Sequence, residues 1–135
     1  MTITQSVQAI LSREVIVTDL FYDIFLDRHP AVRDYFVGVD LTQQAAVLRM
    51  MLLMIEHHYT QPTPAARHYL QVLGQRHAQR HIPPELFPHF RDCLLETLGR
   101  FHGSEWSPDL KREWHAAIDA ASKTMLDAYS PDAPS

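Results

Sequence analysis

The chain predicts an all-α domain of six to eight helices. Apolar residues recur three, four or seven positions apart in five separate stretches, and proline-based helix-start signals stand at three places. No stretch alternates apolar with polar residues as a half-buried strand would, and no internal repeat is present.

The elements follow in order. Ile16, Leu20, Ile24 and Phe25 make the first stripe, which should end at "DRHP", where Pro30 closes the helix or opens the next turn. Leu41, Leu48, Leu52 and Ile55 make a second stripe. In "QPTPAARHYL", Thr63 can cap a helix that has Pro64 in its first position, and Leu70, Leu73 and His77 then share a face. Pro83 and Pro84 should start a further helix with Phe87, Phe90, Leu94, Leu98 and Phe101 inward, broken at Gly103. Ser107, Pro108 and Asp109 combine a cap, a fixed first dihedral and a carboxylate on the positive helix end; Leu110, Trp114, Ala117, Ala121 and Met125 form the last stripe. Residues 1–129 are read as one domain, and the Pro-rich 130–135 as a flexible tail.

Composition narrows the function classes. The 135 residues include 46% hydrophobic residues and only 4 glycines, enough for one sizeable core. Twelve basic and 16 acidic residues give a net charge of −4 without any basic run, which argues against a nucleic-acid surface. Cys93 is the single cysteine, so no internal disulfide framework exists and a reducing compartment is the simpler reading. The most apolar stretch, "AAVLRMMLLMI", falls short of the roughly 20 residues a membrane span requires. The first residues lack a secretory signal pattern. A cytoplasmic protein with no membrane partner, monomeric or homodimeric, is the expectation.

The stretch "LGQRHAQRHIPP" carries the sharpest chemical question, because His77 and His81 stand four apart just before a double proline. Such a pair can be a haem ligand with a neighbour, a two-histidine metal clamp, or polar residues at a helix end. The clamp lacks the glutamate of H-E-x-x-H and has no well-spaced third ligand. His77 lies on an apolar stripe, where an imidazole needs both nitrogens satisfied; iron on one and a backbone carbonyl on the other would do so. His81 at the helix end would also suit the negative C-terminus as a cation. The methionines at 50, 51 and 54 read as core filling, and His57, His58 and His89 as surface residues. No catalytic triad, paired carboxylates or phosphate-cradling loop is recognisable, which favours a cofactor that carries the chemistry.

Four segments in order resemble the globins, specifically bacterial single-domain globins and the haem domain of flavohaemoglobins. "LFYDIFLDRHPAVRDYF" (20–36) is similar to the helix-and-corner pattern F-Y-x-x-L-F-x-x-x-P-x-V-x-x-L-F, and "VDLTQQAAVLRMML" (39–52) to the distal-helix pattern. "LGQRHAQRHIPPELFPHF" (73–90) resembles L-x-x-R-H-x-x-x-G-V-x-P-E-H-Y, and "LKREWHAAI" (110–118) the last helix. The resemblance implies a globin fold with a shortened first helix and one haem b. It makes His77 the iron ligand, Phe36 the corner ring against the haem, and Tyr22 and Gln44 the distal donors. Leu48, Phe87 and Ile118 would be further pocket residues. Gln43 is the rival to Gln44 if the register slips by one; Gln44 is preferred because it leaves Leu41, Leu48 and Leu52 inward.

What the resemblance implies for function is reversible binding of O2 and related gases, NO and CO, at a five-coordinate iron. A phenol or amide donor in a dry pocket would hold a polarised diatomic by about 1.5–3 kcal/mol, slowing its release on the order of ten- to a hundredfold. NO dioxygenation with an external reductase is the enzymatic alternative, and a gas-sensing or haem-free interaction module the third. Two departures bear on the alternative. Relatives in the flavohaemoglobin branch carry a tyrosine where Phe87 stands and a glutamate near the position of Tyr129. Their glycine after the proximal helix is His81 here, where an imidazole could reach a haem propionate.

Overall fold

The structure is a computed structural model that describes residues 1–129, so the tail 130–135 lies outside the described residues. Six α-helices are present, with no strand among the described residues: α1 (Ile3–Ser12), α2 (Glu14–Arg28), α3 (Leu41–Thr60), α4 (Pro64–Gln79), α5 (Leu86–His102) and α6 (Pro108–Leu126). A 3-10 corner, Pro30–Phe36, joins α2 to α3, and short 3-10 turns follow α5 and α6.

Local chemistry accounts for most boundaries. Thr2 and Gln5 form a reciprocal capping box on α1: Gln5 N–H donates to Thr2 Oγ1 at 3.1 Å, and Thr2 N–H to Gln5 Oε1 at 2.9 Å. Thr63 Oγ1 accepts from Ala66 N–H and Ser107 Oγ from Leu110 N–H, each with proline at the first helical position. α5 stops where Gly103 takes a φ of 59°, open to glycine without a Cβ penalty. The double proline does not start α5, as the sequence predicted. It forms the preceding turn, in which Leu86 N–H bonds Pro83 O and Phe87 N–H bonds Pro84 O, and α5 begins at Leu86.

α6 is the central element, packed against α3, α4 and α5, while α2 packs on α5. Phe21, Leu70, Leu94, Leu98, Leu110 and Trp114 lose all solvent exposure, each burial worth about 1.5–3 kcal/mol. One polar device lies inside this core. Trp114 Nε1–H donates to Ser6 Oγ at 2.9 Å, and Ser6 Oγ lies 2.6 Å from His102 Nε2, tying α1, α5 and α6 together.

Two predicted stripes need correction. Ile16 is 55% exposed; the buried face of α2 is Val17, Phe21, Ile24 and Phe25 instead. The break at Arg13, between α1 and α2, resets the helix phase, and Phe21 takes the core position through ring contacts to Tyr22, Phe25 and Phe90. Leu41 is exposed as well, because it opens the first turn of α3, whereas Leu48, Leu52 and Ile55 are buried as expected. Met50 points outward, so only part of the methionine group fills the interior. His58 is not a plain surface residue: its Nε2 lies 3.2 Å from Thr124 Oγ1 and its Nδ1 is buried.

Candidate functional site

A cavity of about 300 Å³ opens among α2, the corner, α3, α4, α5 and α6. That lies at the small end of the range of roughly 300–1,000 Å³ usual for ligand pockets. Each wall comes from a stretch with a local reason to be there. The buried face of α2 brings Tyr22; the corner turns the chain so that Phe36 faces inward; α3 contributes Gln44 and Leu48 one turn apart. α4 supplies His77, α5 Phe87 and α6 Ile118.

Tyr22 is 7% exposed, with its ring edge-on to Phe21 at 5.1 Å and to Phe36 at 5.3 Å. Burial pushes its phenol up to about 12, and a side-chain hydrogen bond with Gln44 works the other way without cancelling it. The hydroxyl is therefore protonated at neutral pH and available as a donor. Gln44 lines the cavity and Gln43 is exposed, so the structure has the register that points Gln44 inward. Leu48 follows on the same face; Leu41, offered as a third reason for that register, does not.

His77 Nδ1 lies 2.7 Å from the Leu73 carbonyl one turn back. Only a protonated Nδ1 can donate to that oxygen, which leaves Nε2 as the nitrogen with a free lone pair. Burial lowers the pKa of the ring and the Arg80 charge adds to the shift, while the bond to Leu73 opposes it. The imidazole is thus held neutral and in one tautomer, as a metal-ligating histidine is. Phe87 lies beside it, ring centres 6.2 Å apart, and Tyr129 packs edge-on to Phe87 at 5.9 Å.

His81 is the one predicted site residue that does not line the cavity; its side chain is exposed. Its contribution is to the backbone. Ile82 N–H bonds His77 O at 3.1 Å and His81 N–H bonds Ala78 O at 3.0 Å, the two closures of a Schellman helix end. His81 accordingly adopts a φ of 58°, a left-handed conformation that costs a side-chain-bearing residue about 1–2 kcal/mol. His81→Gly is expected to raise unfolding free energy by about 1 kcal/mol in urea denaturation; an unchanged or lowered value would mean that the imidazole makes a compensating contact.

Two residues that sequence reasoning did not single out complete the site. Arg76 and Arg80 line the cavity while remaining exposed, and Arg80 Nη2 donates to Tyr35 O at 2.6 Å. The signal was present in "RHAQR", which places cations one residue before and three after His77 on the same turn. They make this a largely apolar cavity with two guanidinium groups on its rim, and no acidic side chain lines it among the described residues. No three His, Cys, Asp or Glu side chains converge among the described residues, so the site has one imidazole and not a protein-built metal cluster. No single helix among them is long and apolar enough to cross a membrane.

Comparisons with known proteins agree with this geometry. The chain is 26% identical over 117 residues to a leghemoglobin of Psophocarpus tetragonolobus, covering 82% of this chain and 81% of that one. It is 18% identical over 110 residues to an uncharacterized globin-like protein of Aquifex aeolicus (strain VF5), covering 82% and 76%. The globin family pattern itself matches residues 19–125, from the helix that carries Tyr22 to the end of the central helix. The all-helical architecture is accordingly a globin fold, and the chain belongs to the globin family.

Proposed function

We propose that the chain is a bacterial-type globin domain that holds one haem b in this cavity and reversibly binds O2, CO and NO. One observation carries the reading: a neutral imidazole with Nδ1 tied to the Leu73 carbonyl shares an apolar cavity with a buried Tyr22 and its half-buried partner Gln44. Haem b, when bound, supplies the iron at which a diatomic gas coordinates. The name leghemoglobin, borne by one relative, fits the same cofactor.

The chain's own residues divide the work. His77 would offer Nε2 to the iron, and the Leu73 carbonyl holds the ring in the tautomer that leaves Nε2 unprotonated. Phe36 and Phe87 give the flat macrocycle apolar surfaces. Arg76 and Arg80 at the rim suit the propionates, charge-assisted partners that a lone exposed imidazole at His81 would match poorly. Tyr22 carries its phenolic proton at neutral pH, as a tyrosine at its ordinary value also would, and could donate it toward a polarised gas; Gln44 is its hydrogen-bond partner. Leu48 and Ile118 keep water out.

Gas binding ranks above NO dioxygenation on the surroundings of His77. Its Nδ1 meets a neutral carbonyl, Phe87 is a hydrocarbon ring, and no carboxylate lines the cavity among the described residues. The carbonyl raises the basicity of the imidazole less than a carboxylate behind it would. Tyr22→Phe is the direct test. Losing one charge-assisted bond of about 1.5–3 kcal/mol is expected to speed O2 dissociation by roughly ten- to a hundredfold in stopped flow. An unchanged rate would remove Tyr22 from ligand contact.

A further inference from the structure

Outside the cavity, two histidines from distant parts of the chain meet at the surface. His29 caps the C-terminal end of α2 and immediately precedes the corner, and His89 stands in the first turn of α5. Their ring centres are 4.5 Å apart with planes inclined at 41°, and neither residue lines the cavity. Phe25 supports the pair from below, edge-on to His29 at 5.7 Å.

We propose that His29 and His89 form a two-imidazole site for a divalent transition-metal ion, copper(II) foremost, with water completing the coordination. The spacing carries the argument. With metal–nitrogen bonds of about 2.0–2.1 Å, each ring centre stands roughly 3.2 Å from the ion, because the lone pair points along the line from ring centre to nitrogen. Two imidazoles at a right angle then have centres about 4.5 Å apart, and at the tetrahedral angle about 5.2 Å. The observed 4.5 Å matches the right-angled arrangement, which tetragonal copper(II) and nickel(II) prefer over zinc. Copper(II) stands highest among divalent first-row ions for nitrogen ligands.

The electrostatics permit it. Arg28, the nearest cation in sequence, is engaged by Glu96, with Nη2 at 2.7 Å and 2.6 Å from the two carboxylate oxygens. The negative end of α2 at His29 favours a cation and the positive end of α5 near His89 opposes it, so the two helix ends offset each other and the imidazole lone pairs decide. Binding replaces two waters of the hydrated ion with two ring nitrogens and involves no electron transfer.

The experiment is a titration of the full chain with copper(II), read by calorimetry and by low-temperature electron paramagnetic resonance. One ion with two nitrogen ligands is expected, with affinity falling at least tenfold in both His29→Ala and His89→Ala. His115→Ala, which alters an exposed histidine on α6, should bind as the parent does. Circular dichroism of each variant confirms that the fold is intact. No binding below millimolar copper, parental affinity retained in both variants, or a loss in only one of them would overturn the site.

Discussion

His77→Gly is expected to lower haem affinity on the order of a hundredfold or more, measured by transfer to a haem acceptor, while His81→Ala retains haem at close to the parental rate. The magnitude follows from the scale of metal sites, where removing even an outer partner costs about 10–100-fold. His77 is the one imidazole lining the cavity among the described residues, and its tautomer leaves the Nε2 lone pair available to a metal. Exogenous imidazole should restore much of the lost binding to His77→Gly, since it refills the vacated ring without the helix. That rescue separates a ligand from a merely structural residue. Retention in His77→Gly, or loss in His81→Ala instead, would reassign the ligand.

The second large effect is at Gly74, one turn before His77. A Cβ placed there would lie 2.3 Å from the Met125 carbonyl oxygen and 2.7 Å from its Cα, all backbone that cannot swing aside. α4 and α6 cross in close main-chain approach at this point, one turn before His77. Gly74→Ala should gain about 1 kcal/mol of helix propensity, yet lose more by overpacking, for a net destabilisation of roughly 1–3 kcal/mol. Thermal unfolding reads the loss, and weakened haem retention should accompany it as α4 moves off α6. A stabilised variant would mean that the crossing is looser than the structure has it.

Much of the fold was legible because its boundary signals are local. Thr63–Pro64, Ser107–Pro108 and Gly103 act through their own backbone and nearest neighbours, so reading them requires no knowledge of tertiary contacts. The face of α2 was not legible in the same way. Ile16 and Val17 are equally apolar, and only the break at Arg13 determines which of them turns inward. Leu41 failed for a related reason: a stripe shows which residues share a side of α3, not where the neighbouring helices end.

The site divides along the same line. Tyr22, Phe36, Gln44, Leu48, His77, Phe87 and Ile118 come from four separated motifs and meet at one cavity. The resemblance of those motifs to the globins, and not their spacing alone, pointed to them. Arg76 and Arg80 were missed because an exposed arginine reads as ordinary surface until the cavity mouth beside it is known. His81 was assigned to a side-chain role when its contribution is a left-handed backbone that closes α4. A sequence displays side chains, and a residue used for its φ angle is visible there only when it is glycine.

The proposed haem would have His77 as its one protein ligand among the described residues. Absorption spectra of the haem-loaded protein, reduced with dithionite and then exposed to CO, test it most directly. A single broad visible band on reduction that sharpens and splits into two with CO is the predicted result. A split band before CO would mean that a second side chain holds the iron, and failure to take up one haem per chain would contradict the reading altogether.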